Sequence, residues 1–244
     1  MSEQTVEFCF LPAIPAAYAR MAREAAIKEN AANASPFEAA ADIRRCWATG
    51  RTLHIAFLEG RLEVQQKVAF YASEWCKHGN IRFLFDNSPE AEIRIAFQPG
   101  GSWSALGTEV LITPYFPKNR PTMNFGWLTP STPDQEYSSV VLHEFGHALG
   151  LIHEHQTPAE GLQWNYEAVR KNLSGPPNYW DDATIQANIF AQYNEEQTQY
   201  SHFDPASIMN YPLPSTWTRN SLTVPRNSIL SETDKQFIQK LYPW

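Results

Sequence analysis

Cysteine is scarce here: three in 244 residues, Cys9, Cys46 and Cys76, all in the first third of the chain. An odd number with none after position 76 leaves no disulfide framework to staple the fold. Three reduced, partly buried thiols are expected, with one bridge beside a free thiol as the alternative. Basic residues are outnumbered, 19 Lys and Arg against 26 Asp and Glu, for a net charge of -7. With no basic stripe, the chain lacks the electrostatic footprint of a nucleic-acid surface. It has no uncharged apolar run of about 18 residues, so no spanning helix is expected. The first residues, MSEQTVEFCFLPAIP, start acidic, and Pro12 and Pro15 break the only apolar stretch. A Sec signal peptide wants a positive start and a longer apolar run. The chain is therefore expected to be cytoplasmic or exported by a non-classical route. Internal repeats and low-complexity tracts are also absent. What remains is a soluble-type composition, 43% hydrophobic and 18% charged, long enough for one large domain or two lobes around a substantial core.

The local patterns divide the chain. Ala-rich residues 13–33 suit a surface helix. TLHIAF (52–57), IRFLF (81–85) and AEIRIAF (91–97) alternate as strands do, and two further strands are expected near 106–112 and 123–128. Residues 61–77 have helical spacing and stop at Gly79-Asn80. Thr132 reads as an N-cap, with Pro133 at the first helical position and Gln135 closing a capping box, for a helix through His147 to Gly150. The second half is rich in Pro, Asn, Trp and Tyr, with short helices near 165–173 and 181–193. A last helix starts at Ser231 and runs to Tyr242. The order predicts an α+β fold whose two halves meet near Gly150.

The chemistry concentrates in HEFGHALGLIHEH, residues 143–155. His143 and His147 are four apart, so a helix puts both imidazoles on one face, one turn apart. Glu144 lies about 100° around the helix and can flank an ion that the two histidines hold, as a general base beside two ligands. A catalytic zinc takes three protein ligands and keeps one position open. On a continued helix His153 would lie about 9 Å along the axis from His147, too far to share an ion. Gly150 can end the helix and turn the chain, which makes His153 the third ligand. Glu154 is expected to make a salt bridge or hydrogen bond, and His155 to stand behind the ligands or be exposed.

His-Glu-x-x-His-x-x-Gly-x-x-His resembles the metzincin signature. The Glu after the third His, and Ser207-Ile208-Met209-Asn210-Tyr211 downstream, resemble the astacin family in particular. Weaker likeness runs from about Trp47 to the end. The resemblance implies an upper lobe with a twisted, mostly parallel five-stranded sheet and two long helices, over a loop-rich helical lower lobe. It implies one catalytic Zn²⁺ on His143, His147 and His153, Glu144 and Tyr211 as catalytic residues, and Met209 as an apolar floor beneath the ligands. The expected activity is that of a zinc endopeptidase that hydrolyses protein or peptide substrates as a monomer. The alternatives are a silent zinc- or peptide-binding module, or a metzincin of another branch. Gly101–Gly107 is where an edge strand would align substrate. Trp217 and Arg219 follow the Met-turn, where such enzymes build a side-chain pocket.

The chain departs from secreted astacins in its lack of late cysteines and in Gln156-Thr157-Pro158 after the signature, so it resembles a bacterial or fungal offshoot. Residues 46–244 are expected to form the catalytic domain, divided into lobes 46–150 and 151–244. Residues 1–45 are an extension, either a helix packed on the domain or a propeptide whose Asp42, Cys46 or Cys9 caps the metal.

Overall fold

The computed structural model describes residues 7–34, 45–156, 162–192 and 203–244. After helix α1 (Ala19–Glu29) come β1 (Thr52–Phe57), α2 (Leu62–Ala72), β2 (Arg82–Phe85), β3 (Ile93–Ala96), β4 (Trp103–Ser104) and β5 (Met123–Asn124). The strands form one sheet in the order β2-β1-β3-β5-β4. All pairings are parallel except β4 on β5, which is antiparallel and places β4 at the edge. Helix α3 (Asp134–Ala148) packs with α2 against the sheet. The lower half holds α4 (Tyr166–Leu173), α5 (Asp182–Ile185) continued by a π-helical turn Gln186–Phe190, and α6 (Glu232–Leu241). The α+β architecture and the mostly parallel five-stranded sheet are as expected. Among the described residues no helix is long and apolar enough to cross a membrane.

Two apolar clusters organise the molecule. One joins Leu53, Ile55, Ile93 and Ile95 of the sheet to Val64 and Val68 of α2 and to Val141 and Phe145 of α3. The other joins Trp164, Val169, Ile189, Tyr211, Leu213 and Trp217 of the lower half to Phe8 and Cys9 of the N-terminal segment. Helix α3 lies between them, with every residue from Ser139 to Ala148 buried. Two indoles fix it from the first cluster's side: Trp75 Nε1 donates to Leu142 O (2.9 Å) and Trp47 Nε1 to Ala148 O (2.8 Å). Fully burying each large apolar side chain contributes roughly 1.5–3 kcal/mol, so α3 is held by its packing rather than by its weak helix propensities.

Three local expectations need correction. Residues 107–111 form a 3-10 turn, not a strand. Its residues Gly107 to Val110 are all buried, and Glu109 Oε1 pairs with Arg45 Nε at 2.8 Å. Thr132 does not cap α3: extended Pro133 precedes the helix, and Thr132 Oγ1 accepts from Thr129 N in the preceding turn. Helix α2 ends at Ala72, followed by a separate 3-10 turn Trp75–Lys77. The last helix matches its reading, with Ser231 and Asp234 forming a reciprocal capping box.

Candidate metal centre

Helix α3 stops where its sequence says it must turn. Gly150 has φ 93°, a conformation that costs a side-chain-bearing residue free energy. Leu151 N then bonds back to Gly146 O (3.0 Å) and Gly150 N to His147 O (2.8 Å), satisfying the last carbonyls. The chain reverses and brings His153 against the helix. His147 Nε2 lies 3.1 Å from His143 Nε2 and 3.2 Å from His153 Nε2.

Each imidazole is aimed by its other nitrogen. His143 Nδ1 donates to Ile208 O (2.8 Å), His147 Nδ1 to Leu151 O (2.7 Å) and His153 Nδ1 to Gln156 Oε1 (3.1 Å). The first two acceptors are carbonyls, and Gln156 uses its amide protons on Ala187 O and Ala191 O, so all three Nδ1 atoms carry the proton. Three bare Nε2 lone pairs therefore face one point. Burial also holds these imidazoles neutral, His143 down to about 4 and His147 and His153 well below the usual histidine range. Zinc–nitrogen bonds of about 2.0–2.1 Å at tetrahedral angles would separate neighbouring nitrogens by about 3.3 Å. The observed spacing fits such an ion.

A fourth potential ligand comes from the N-terminal segment. Cys9 Sγ is 2.8 Å from His143 Nε2 and 3.5 Å from His153 Nε2. The thiol and the three imidazoles form one buried group whose donor atoms all lie within 4.8 Å of one another. Burial, then the Glu144 charge, push the thiol up well above its ordinary pKa, against smaller lowering by the Tyr211 hydrogen bond and the Arg226 charge; a cation at this point would favour the thiolate further. Cys46 instead packs against Gly150. Asp42 lies outside the described residues.

Glu144 is fully buried, and neither carboxylate oxygen has a hydrogen-bond partner among the described residues. Desolvation raises its pKa well above the carboxylate range. Such an orphaned group is costly unless something binds beside it. Met209 lies under the helix: a Cβ on Gly146 would come within 2.3 Å of its Sδ. Tyr211 is buried next to the histidines, its ring centroid 4.3 Å from that of His153, and its hydroxyl donates to Cys9 O (2.7 Å).

His155 stays out of the donor group. It is buried rather than exposed, and its Nε2 donates to Asn188 O (2.9 Å). Glu154 accepts from Asp204 N (3.0 Å), as a hydrogen-bonding rather than ligating residue. Trp217 is buried in the lower cluster, stacked on Phe8 at 5.2 Å; together they line a cavity of about 640 Å³ with Leu213, Val224, Pro177 and Arg226. Arg219 is absent from its lining. Sequence reasoning missed Gln156, which orients His153, and Asn188, which accepts Leu11 N through its side chain at 2.7 Å. The spacing of Gln156 from His153 was visible, but its partners lie more than thirty residues on.

Comparisons with known proteins agree on the fold. The family model described as matrixin, peptidase M10, matches residues 58–188. A solved structure of myroilysin is 45% identical, with a TM-score of 0.77, over 82% of this chain and 96% of that one. High choriolytic enzyme 1, a hatching enzyme zinc-protease from the medaka fish Oryzias latipes, shares 17% identity over 81% of this chain with a TM-score of 0.55, a likeness of fold alone. Zinc metalloproteinase nas-23 of Caenorhabditis elegans is 24% identical over 156 residues, 63% of this chain; the match spans 25% of that relative's length.

Proposed function

For a chain that belongs to the matrixin family of metzincin-type zinc peptidases, we propose an endopeptidase held latent by its own N-terminal segment. The observation that carries the reading is the meeting of three Nδ1-anchored imidazoles beside an unpartnered buried carboxylate. His143, His147 and His153 are the proposed ligands. A zinc ion bound there supplies Lewis acidity, which makes a water acidic near neutral pH and polarises a carbonyl.

Glu144 is the proposed general base. Its raised affinity for a proton suits it to take one from the attacking water and return it to the departing amine. Tyr211, with a phenol kept protonated by burial, is the proposed donor to the oxyanion; its present bond to the Cys9 carbonyl is the same kind of contact. Met209 supports the ligands from below. Cys9 in the open position excludes water and substrate, which supports residues up to about 45 acting as a propeptide before a catalytic domain from about 46.

The test is Glu144→Gln in the full chain, opened by Cys9→Ala and loaded with zinc. Zinc content should stay near one ion per chain, while casein cleavage falls by about 10²–10⁴-fold, the share of a general base. Retained turnover would remove Glu144 from the role. Absence of zinc from the parent chain would remove the whole reading.

A further inference from the structure

Residues 8–11 pass between the two halves, and their backbone donors reach both: Phe8 N donates to Asn178 Oδ1 of the lower half (3.0 Å). Phe10 N donates to Ser102 O (3.2 Å) on the approach to edge strand β4, where Phe10 bridges Trp103. Leu11 N donates the other way, to Asn188 Oδ1 at 2.7 Å. The upper wall thus offers a strand edge. Among the described residues the lower wall has no strand there, and a side-chain amide does what a backbone carbonyl would.

Asn188 is built for that contact. It is buried, and its Nδ2 donates to Thr184 O (3.1 Å), which fixes Oδ1 toward the cleft. Its own carbonyl accepts from His155, and Ala187 O beside it accepts from Gln156, which orients His153. The π-helical turn Gln186–Phe190 therefore holds the Asn188 acceptor in fixed relation to a proposed zinc ligand. Once the N-terminal segment leaves, Oδ1 is an acceptor in the cleft wall whose donor is gone, and such groups seek a new one.

We infer that the Asn188 carboxamide is a peptide-backbone receptor: in the open enzyme it accepts one N–H of an extended substrate, at the place Leu11 N takes now. The inference rests on the peptidase reading above. Its chemical consequence is that one substrate position must carry an N–H, so proline or an N-methylated residue is refused there.

The experiment is an N-methyl scan of a peptide cleaved by the zinc-loaded full chain carrying Cys9→Ala, repeated with Asn188→Ala added. Competition from the tethered segment scales all peptides alike and cancels from the ratio of methylated to unmethylated kcat/KM. With Asn188 present, one position should lose about tenfold or more on methylation, as expected for a lost buried hydrogen bond. Asn188→Ala should shrink that penalty below about twofold, leave the penalties at strand-edge positions in place, and raise KM more than it lowers kcat. If Asn188→Ala fails to fold or to hold zinc, Asn188→Ser is scanned instead. Identical penalties at every position with and without the carboxamide, or no sensitive position at all, overturn the inference. If the zinc-loaded parent cleaves no peptide, the peptidase reading falls first and this one with it.

Discussion

At the scale of single residues, the centre is a matter of which atoms carry protons. Each imidazole gives its Nδ1 proton away, two to backbone carbonyls and one to Gln156, and so presents a bare nitrogen to the same point. Tyr211 and Cys9 answer each other across that point. Tyr211→Phe removes one donor and keeps the ring. In the Cys9→Ala background it should lower kcat by about 10²–10³-fold with little change in KM or zinc content. Full kcat in steady-state assays would make Tyr211 a packing residue. Cys9→Ala itself should give the uncut full chain measurable peptidase activity that the wild type lacks; equal activity of the two would end the latency reading. The histidine cluster was legible because its geometry is local: three residues on one helix, and a turn that brings in His153. Gln156 and Asn188 were not, because their roles exist only through partners more than thirty residues away.

At the scale of elements, α3 must be approached closely from below. A Cβ on Gly146 would meet Met209 Sδ at 2.3 Å and Trp75 Cζ2 at 3.2 Å. Gly146→Ala should therefore cost about 1–3 kcal/mol by overpacking, a fall in Tm of roughly 2–12 °C for a chain this size. Thermal melts at fixed zinc would show it, and an unchanged Tm would mean that Met209 yields freely. The turn carrying Met209 is tied in turn to α6. Asp234 Oδ1 accepts from Ser207 Oγ (2.7 Å), and its Oδ2 from Ile208 N and Ser231 N (2.8 Å each). Asp234→Ala leaves those donors buried and should destabilise by about 2–4 kcal/mol, read by denaturant unfolding. Helix starts and strand ends were the least legible features. Thr132 has the right chemistry for a cap, yet its hydroxyl serves the preceding turn. The short apolar run at 107–111 reads as a strand but folds as a 3-10 turn whose Glu109 is paired with Arg45. Gly150 was legible because a reversal needs a residue tolerant of positive φ, and one stood in place.

At the scale of the whole molecule, the N-terminal segment belongs to the lower core as much as to the cleft. Phe8 stacks on Trp217 and lies edge-on to Tyr211 at 5.3 Å. On the proposed latent reading, displacing the segment exposes apolar surface as well as the histidine cluster. The strand-rich first half and the short helices of the second were legible from the change of composition along the chain. The wedge of the segment between them was not, since nothing in residues 7–11 resembles a strand that pairs with Trp103.

The placement of the Cys9 sulfur has a second consequence, for the traffic of metal rather than of substrate. A centre with three nitrogens and one open corner loses its ion by that corner. With the thiol seated there, 2.8 Å from His143 Nε2, the exit is stoppered from inside. On the proposed latent reading, the full chain should exchange its metal slowly. Dialysis against a strong chelator should strip the Cys9→Ala chain markedly faster than the wild type, even if both bind zinc equally tightly at equilibrium.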